Sequence, residues 1–343
     1  MAMNRRQFIA SSAGAMGLAQ SQAPSAVRLG IDLFSIRSSG WSPFEYLDYC
    51  ARQGARVVHF SEIRFVGSLE ADHLKKVGAH AAKLGIQCEI GMRSICPTSA
   101  MFDAKQGKAE DQITRMIAAA EHIASPIVRA VLGSMEDRKP PGIDAHIEST
   151  VKVLRTVRQR ALDSGVKIAI ENHAGDMQAR ELKTLVEEAG KDFVGVCLDS
   201  GNPLWTIEDP HLTLETLHPY VLTSHVRDTA VWAVPDGAAV RWVRMGQGNV
   251  GIDSYVRRYM ELCPGRALSL EIIVMQRNFA YKKPEFWERY RTSAAWEFER
   301  FLTLVENGKP LPNLAPIPTE MAAQREREDL EASIEYTKRL IQT

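Results

Sequence analysis

The sequence predicts a (β/α)8 barrel, and three observations carry that prediction. Eight short apolar, β-branched segments recur along the chain at a regular beat. Seven of them are followed by a helical stretch before the next one begins. The segments read as apolar on both faces, the pattern of a parallel sheet covered on both sides. Eight such units close into a barrel more naturally than they extend an open sheet.

The first strand is expected at 27–34 (VRLGIDLF), the second at 55–61 (ARVVHFS), the third at 86–91 (IQCEIG) and the fourth at 127–132 (IVRAVL). The last four follow at 166–171 (VKIAIE), 194–199 (VGVCLD), 220–226 (YVLTSHV) and 267–273 (ALSLEII). Ser42 and Pro43 supply an N-cap and a proline at the first helical position, and Gly54 ends that helix. Leu74, Val77 and Leu84 mark the apolar face of a helix near 68–84 that Gly85 stops. Asp144 opens a long helix that Gly165 closes, and the segment around 178–189 runs to Gly190. The first strand continues as GIDLFSIR, without the glycine-rich turn of a dinucleotide-binding sheet.

The C-terminal part departs from the beat. Residues 284–306 read as a lengthened last barrel helix, which puts the barrel domain at 24–306. Residues 307–343 then read as a proline-rich linker and a charged helix with Leu330, Ile334, Thr337 and Ile341 at helical spacing. That arm has two equal docking options: the barrel itself, or a second copy of the chain in a homo-oligomer.

Composition narrows the function. Among 343 residues, Lys+Arg and Asp+Glu both number 42, so the formal net charge is +0. A phosphate-backbone binder needs a basic excess, so nucleic acid and anionic membranes are excluded as partners. The five cysteines form no close CxxC pair and are odd in number. Neither a disulfide framework nor a zinc ribbon follows, and Cys88 and Cys197 read as small core residues. Residues 1–23 resemble a twin-arginine export signal. Arg5 and Arg6 precede Phe8, Ile9 and a weakly apolar run too short to span a membrane, and small residues follow near Ala23. The expectation is a periplasmic or extracellular protein, exported already folded.

Barrel chemistry sits at the carboxyl ends of the strands. The first four ends show Phe34, Ser35 and Arg37, then Ser61 and Glu62, then Met92 and Arg93, then Gly133 and Ser134, with no compact ligand set. The last four differ. Glu171 ends the fifth strand, Asp199 the sixth and His225 the seventh, and the eighth carries Glu271. Three carboxylates at one apolar mouth repel one another, and a divalent cation removes that cost. One nitrogen among oxygens suits Mn2+ first, then Mg2+ or Co2+, and tolerates Zn2+ or Fe2+. His173 and Arg227 lie two residues beyond Glu171 and His225, so alternation points each to the same side as its ligand, toward substrate hydroxyls. Trp205, Trp232 and Trp242 lie in or near the segments after strands six and seven, where aromatic faces can stack on a sugar ring. The stretch 229–245 is long enough to form a lid.

At IAIENHAG, GVCLDSGNP, SHVRD with GQGNVGID, and LSLEI, the sequence resembles the xylose isomerase-like TIM barrel superfamily, the sugar phosphate isomerase/epimerase group. The resemblance covers roughly 27–306. It implies a metal held by Glu171, Asp199, His225 and Glu271, with Glu171 and Glu271 also acting as the proton-transfer pair. Asn202 stands where the superfamily often has a further histidine, which implies a hydroxyl-binding amide. HFSEIR, RAVLGS and RWVRMGQG lack the further ligands of the superfamily's three-metal DNA-repair enzymes, which implies one metal. The chemistry expected is proton removal beside a carbonyl through an enediolate, giving a sugar isomerase or epimerase. Elimination from a keto-glycoside by the same abstraction, a lyase or deglycosidase activity, is the alternative.

Overall fold

The apolar beat becomes eight parallel strands. The computed structural model describes residues 27–342, so the twin-arginine segment lies outside the described residues. The strands are β1 (Arg28–Asp32), β2 (Val57–Phe60), β3 (Gln87–Ser94), β4 (Ile127–Val131), β5 (Lys167–Glu171), β6 (Val194–Asp199) and β7 (Val221–His225). After them come β8 (Asp228–Val234), β9 (Gly237–Val243), β10 (Ala267–Leu270) and β11 (Met275–Phe279). The barrel order is β10-β1-β2-β3-β4-β5-β6-β7. The ring closes through a parallel bridge between Val226 and Leu270. There the Val226 N–H donates to Ser269 O at 2.7 Å, and the Glu271 N–H donates to Val226 O at 3.1 Å. Gly30 permits the packing of β1 on β10, since a Cβ there would lie 2.1 Å from Ser269 Oγ.

The helices follow the local signals. Pro43–Arg52 starts on a capping box, with the Ser42 N–H donating to Glu45 Oε2 at 2.8 Å. Ala71–Lys83, Ile143–Ser164 and Ala179–Ala189 occupy the expected stretches, and Gly165 leaves its helix in the left-handed region.

The eighth unit is built differently from the sequence expectation. Residues 284–306 split into a short turn, Pro284–Arg289, and a separate helix, Ala295–Glu306. Tyr290 explains the break: it is buried, it stacks on Phe286, and its hydroxyl donates to Trp205 O at 3.1 Å. Those tertiary contacts override a continuous helical pattern. The helix Ala295–Glu306 instead covers the inserted strand β8. The outer ring is completed by the C-terminal helix Thr319–Ile341, with Leu330 and Ile334 fully buried. On one side the Tyr336 hydroxyl donates to Asp253 at 2.7 Å, and on the other the Tyr49 hydroxyl donates to Glu331 at 2.9 Å. The arm therefore spends its apolar face on its own barrel.

The stretch after β7 is a β-hairpin rather than an open loop. β8 and β9 pair antiparallel, and β11 adds to the edge of β9. This three-stranded sheet connects to the carboxyl ends of β7 and β10 and carries Trp242, Met275 and Arg277 to the barrel mouth. Among the described residues, no helix is long and apolar enough to cross a membrane.

Candidate metal and substrate site

Each of β5, β6 and β7 ends on its polar residue because its preceding apolar residues are committed to the barrel wall. Glu171 and Asp199 are the last residues of β5 and β6, and His225 is the last of β7. Register sets Asp199 opposite His225. Glu271 follows β10 directly, fixed by its backbone bond to Val226. One ligand atom from each of Glu171, Asp199, His225 and Glu271 lies within 4.8 Å of all the others, and all four residues are buried. The structure brings the four sequence-predicted ligands together.

The orientation of His225 fits a cation. Its Nδ1 is buried without a hydrogen-bond partner and faces Glu171 Oε2 at 3.1 Å and Glu271 Oε2 at 3.2 Å. Its Nε2 is tied to the interior, 2.8 Å from His59 Nδ1 and 3.2 Å from Asp32 Oδ2. An imidazole fixed at one nitrogen and turned toward carboxylates with the other is the arrangement a metal-binding histidine needs. Asp199 is anchored as well: its Oδ1 accepts from the backbone N–H groups of Gly201 and Asn202, both at 2.7 Å. Asn172 points the other way along the turn and locks β5 to β6. Its Nδ2 donates to Asp199 O at 2.9 Å, and its Oδ1 accepts from the Asp199 N–H at 2.8 Å.

Charge around the four residues is balanced by two buried guanidiniums. The Arg129 Nε donates to Glu171 Oε2 at 2.5 Å, and Arg227 bridges Asp199 and Glu271. Burial opposes ionisation of Glu271, yet Arg227 and His225 outweigh it and hold the carboxyl at about 2. Glu171 is likewise held well below the usual range, against its burial, by Arg129 and His225. Burial dominates at Asp199 and pushes it up to about 6, with Arg227 opposing. His59 is driven well below the usual histidine range by burial, with His225 and Arg129 adding to it. It is therefore neutral, and a single proton lies in the 2.8 Å contact between its Nδ1 and His225 Nε2.

A cavity of about 460 Å3 opens over this floor. Glu171, His173, Asn202, Trp205, Arg227 and Glu271 all line it. The His173 Nδ1 pairs with Gly133 O at 2.7 Å; as a donor there, it leaves Nε2 as the acceptor. Asn202 donates to Glu171 Oε1 at 3.2 Å and keeps a buried, unpartnered Oδ1. Trp205 stacks on Trp242 with centroids 4.2 Å apart, and the Trp242 Nε1 donates to Gly201 O at 3.2 Å. Trp232 does not reach the cavity. It sits on the far face of the hairpin against Ala230, Ala239 and Val243, under Arg241. Alternation along β8 sends Val231 to the Trp205 side and Trp232 to the other.

The sequence reading missed Asp32, His59 and Arg129. Each is a single polar residue inside an apolar strand run, at or before its carboxyl end, and that interruption was the available signal. They line the barrel interior with Glu89 and Thr223, whose hydroxyl donates to Glu89 at 2.6 Å.

Comparison with known proteins agrees with this architecture. A family profile described as xylose isomerase-like TIM barrel matches residues 47–296. A 3-oxo-isoapionate decarboxylase from Pectobacterium atrosepticum is 26% identical over 184 residues, 54% of this chain. The match spans 60% of that enzyme's own length. A D-psicose 3-epimerase from Clostridium cellulolyticum H10, solved with D-tagatose, superposes with a TM-score of 0.58 at 14% identity, covering 89% of this chain and 99% of the epimerase. An IolI protein solved with a bound zinc atom gives 0.56 at 16% identity, covering 81% of this chain and 96% of that one. At such identities the superpositions establish the fold alone. With a matching profile over most of its length and the eight-stranded parallel ring it describes, the chain belongs to the xylose isomerase-like TIM barrel family.

Proposed function

We propose that the protein is a divalent-metal-dependent sugar isomerase or epimerase that moves a proton on a carbon next to a carbonyl. One observation carries the reading. Three carboxylates and a histidine, with Nδ1 unpartnered, converge beneath a cavity of about 460 Å3, whose lining Glu171 and Glu271 reach. Glu171, Asp199, His225 and Glu271 would hold the ion, and Mn2+ suits the oxygen-rich set best. When bound, it supplies Lewis-acid stabilisation to the negative charge that develops on the substrate oxygens.

The chain's own residues do the rest. Glu171 and Glu271 are held ionised, the state a base needs, and one removes the proton while the other returns it. The His173 Nε2 and the free Asn202 Oδ1 accept from substrate hydroxyls. Trp205 presents its ring to the sugar's apolar hydrogens. Arg227 holds Asp199 and Glu271 in place. Return of the proton to the same carbon gives an epimer, and return to its neighbour gives an isomer.

The decarboxylase relative favours a second reading: a lyase in which the same charge builds up as a group leaves a keto-sugar. A keto-glycoside losing its aglycone, in an exported protein, is one form of it. Metal analysis of the purified protein should show about one divalent ion per chain. Incubation with ketoses in D2O should then place deuterium at the α-carbon with no other mass change. Loss of an aglycone or of CO2 would select the lyase reading, and a folded, metal-free protein would remove both.

A further inference from the structure

Five guanidiniums, Arg37, Arg93, Arg129, Arg227 and Arg277, line the cavity against three carboxylates, Glu62, Glu171 and Glu271. Three of the arginines are spent. Arg129 pairs with Glu171, Arg227 with Asp199 and Glu271, and Arg37 faces Glu326 of the C-terminal helix at 3.4 Å. Glu62 is taken by Arg64, outside the cavity lining. Arg93 has no ion-pair partner among the described residues, and Arg277 has none within ion-pair distance; its guanidinium touches Met135 Sδ and only helps, from further off, to lower the Glu136 carboxyl.

Both stand at the mouth. Arg93 is exposed and follows Met92, whose carbonyl accepts from Arg129 at 3.3 Å above Glu171. Arg277 is exposed on β11, with its guanidinium 4.9 Å from the ring centroid of Trp205. With a divalent cation on the floor, its +2 and the two guanidiniums offset Glu171, Asp199, Glu271 and the Asp32 carboxylate behind His225, so the floor leaves no negative charge for the rim to neutralise. Two further unpaired guanidiniums at the rim then give a neutral sugar nothing and an oxyanion a great deal.

We infer that the substrate is a sugar acid, a polyhydroxy chain whose carboxylate is held at the rim by Arg93 and Arg277 while its carbonyl end reaches the floor. This deepens the proposed function and rests on its account of the floor. It makes the arginine rim the element that selects charged substrates over simple ketoses.

The test uses three unreactive probes of one carbon skeleton, D-gluconate, D-glucitol and D-glucitol 6-phosphate, titrated calorimetrically into the metal-loaded full chain at low salt. The expected result is gluconate binding about tenfold or more tighter than glucitol, with the preference lost in the R93Q/R277Q double variant. Glucitol binding should fall far less than gluconate binding under the two substitutions, since only the Arg277 contact with Trp205 is disturbed for it. No preference for gluconate would overturn the inference. So would a preference that survives the double variant, because the carboxylate would then sit on the floor. Tighter binding of glucitol 6-phosphate than of gluconate would overturn the carboxylate assignment. Metal content and ketose deuterium exchange, read on the same preparation, report on the proposed function separately. A chain that exchanges protons on ketoses without favouring gluconate loses only this inference.

Discussion

The two halves of the barrel meet the mouth with opposite chemistry. β5, β6, β7 and β10 deliver Glu171, Asp199, His225 and Glu271, the acids and the imidazole. β1, β2 and β4 deliver Asp32, His59 and Arg129, which orient or neutralise those groups, and β3 delivers Arg93 to the rim. The second half gathers charge that would repel and offsets part of it with its own Arg227, and the first half supplies Arg129 and the support behind His225. The difference shows that a ligand set is only half a site. Without Arg129 on β4 and the His59–Asp32 support on β1 and β2, Glu171 and His225 would have no fixed geometry.

The contrast breaks hardest at Glu271. Glu271→Gln keeps the shape and Arg227 can still reach its oxygen, but the base is gone. Solvent-deuterium exchange at the substrate α-carbon should fall by about 10²–10⁴-fold while circular dichroism stays native. Asp32→Asn and His59→Gln probe the other half. Each removes a partner of His225 Nε2, and metal affinity in a competitive chelator titration should drop by about 10–100-fold. Unchanged affinity in both would mean that the first half merely fills the barrel.

A smaller effect is expected at the rim. Glu326 accepts from the Ser38 N–H and hydroxyl, both at 2.8 Å, and faces Arg37. Glu326→Ala should raise KM by a few-fold at constant kcat, because it loosens a cavity wall and leaves the floor intact.

The last effect is on stability and leaves the site untouched. Glu208, in the loop after β6, is pushed up to about 7 by burial, although Thr213 and the Ala179 N–H donate to it. Its folded pKa lies above the unfolded value near 4.5. The native state therefore keeps a proton that the unfolded chain has released, and stability falls as pH rises from about 4.5 to 7. The change is at most on the order of 3 kcal/mol. Glu208→Gln should flatten that part of the denaturation profile.

Most of the fold was legible because a strand covered on both faces announces itself by continuous apolarity. The exception was the eighth helix. Residues 284–306 continue the beat in sequence, but Tyr290 is recruited by Trp205 and Phe286, and the chain uses a later segment to finish the ring. The second-half ligands were legible because a polar residue at a strand end stands out. Asp32, His59 and Arg129 stand inside apolar runs, where one polar residue looks like an exception. Trp232 was misplaced because a segment read as a loop has no faces to alternate. Once it is a strand, neighbouring residues part company.

The helix Thr319–Ile341 closes the ring and holds the β1 loop at the cavity rim. It is also made after every strand of the barrel. All eight strands can have emerged while the outer wall between the first and last barrel helices is still missing. The rim is therefore finished only after the barrel strands, so a chain cut short before Thr319 would lose that edge of the cavity while keeping Glu171, Asp199, His225 and Glu271.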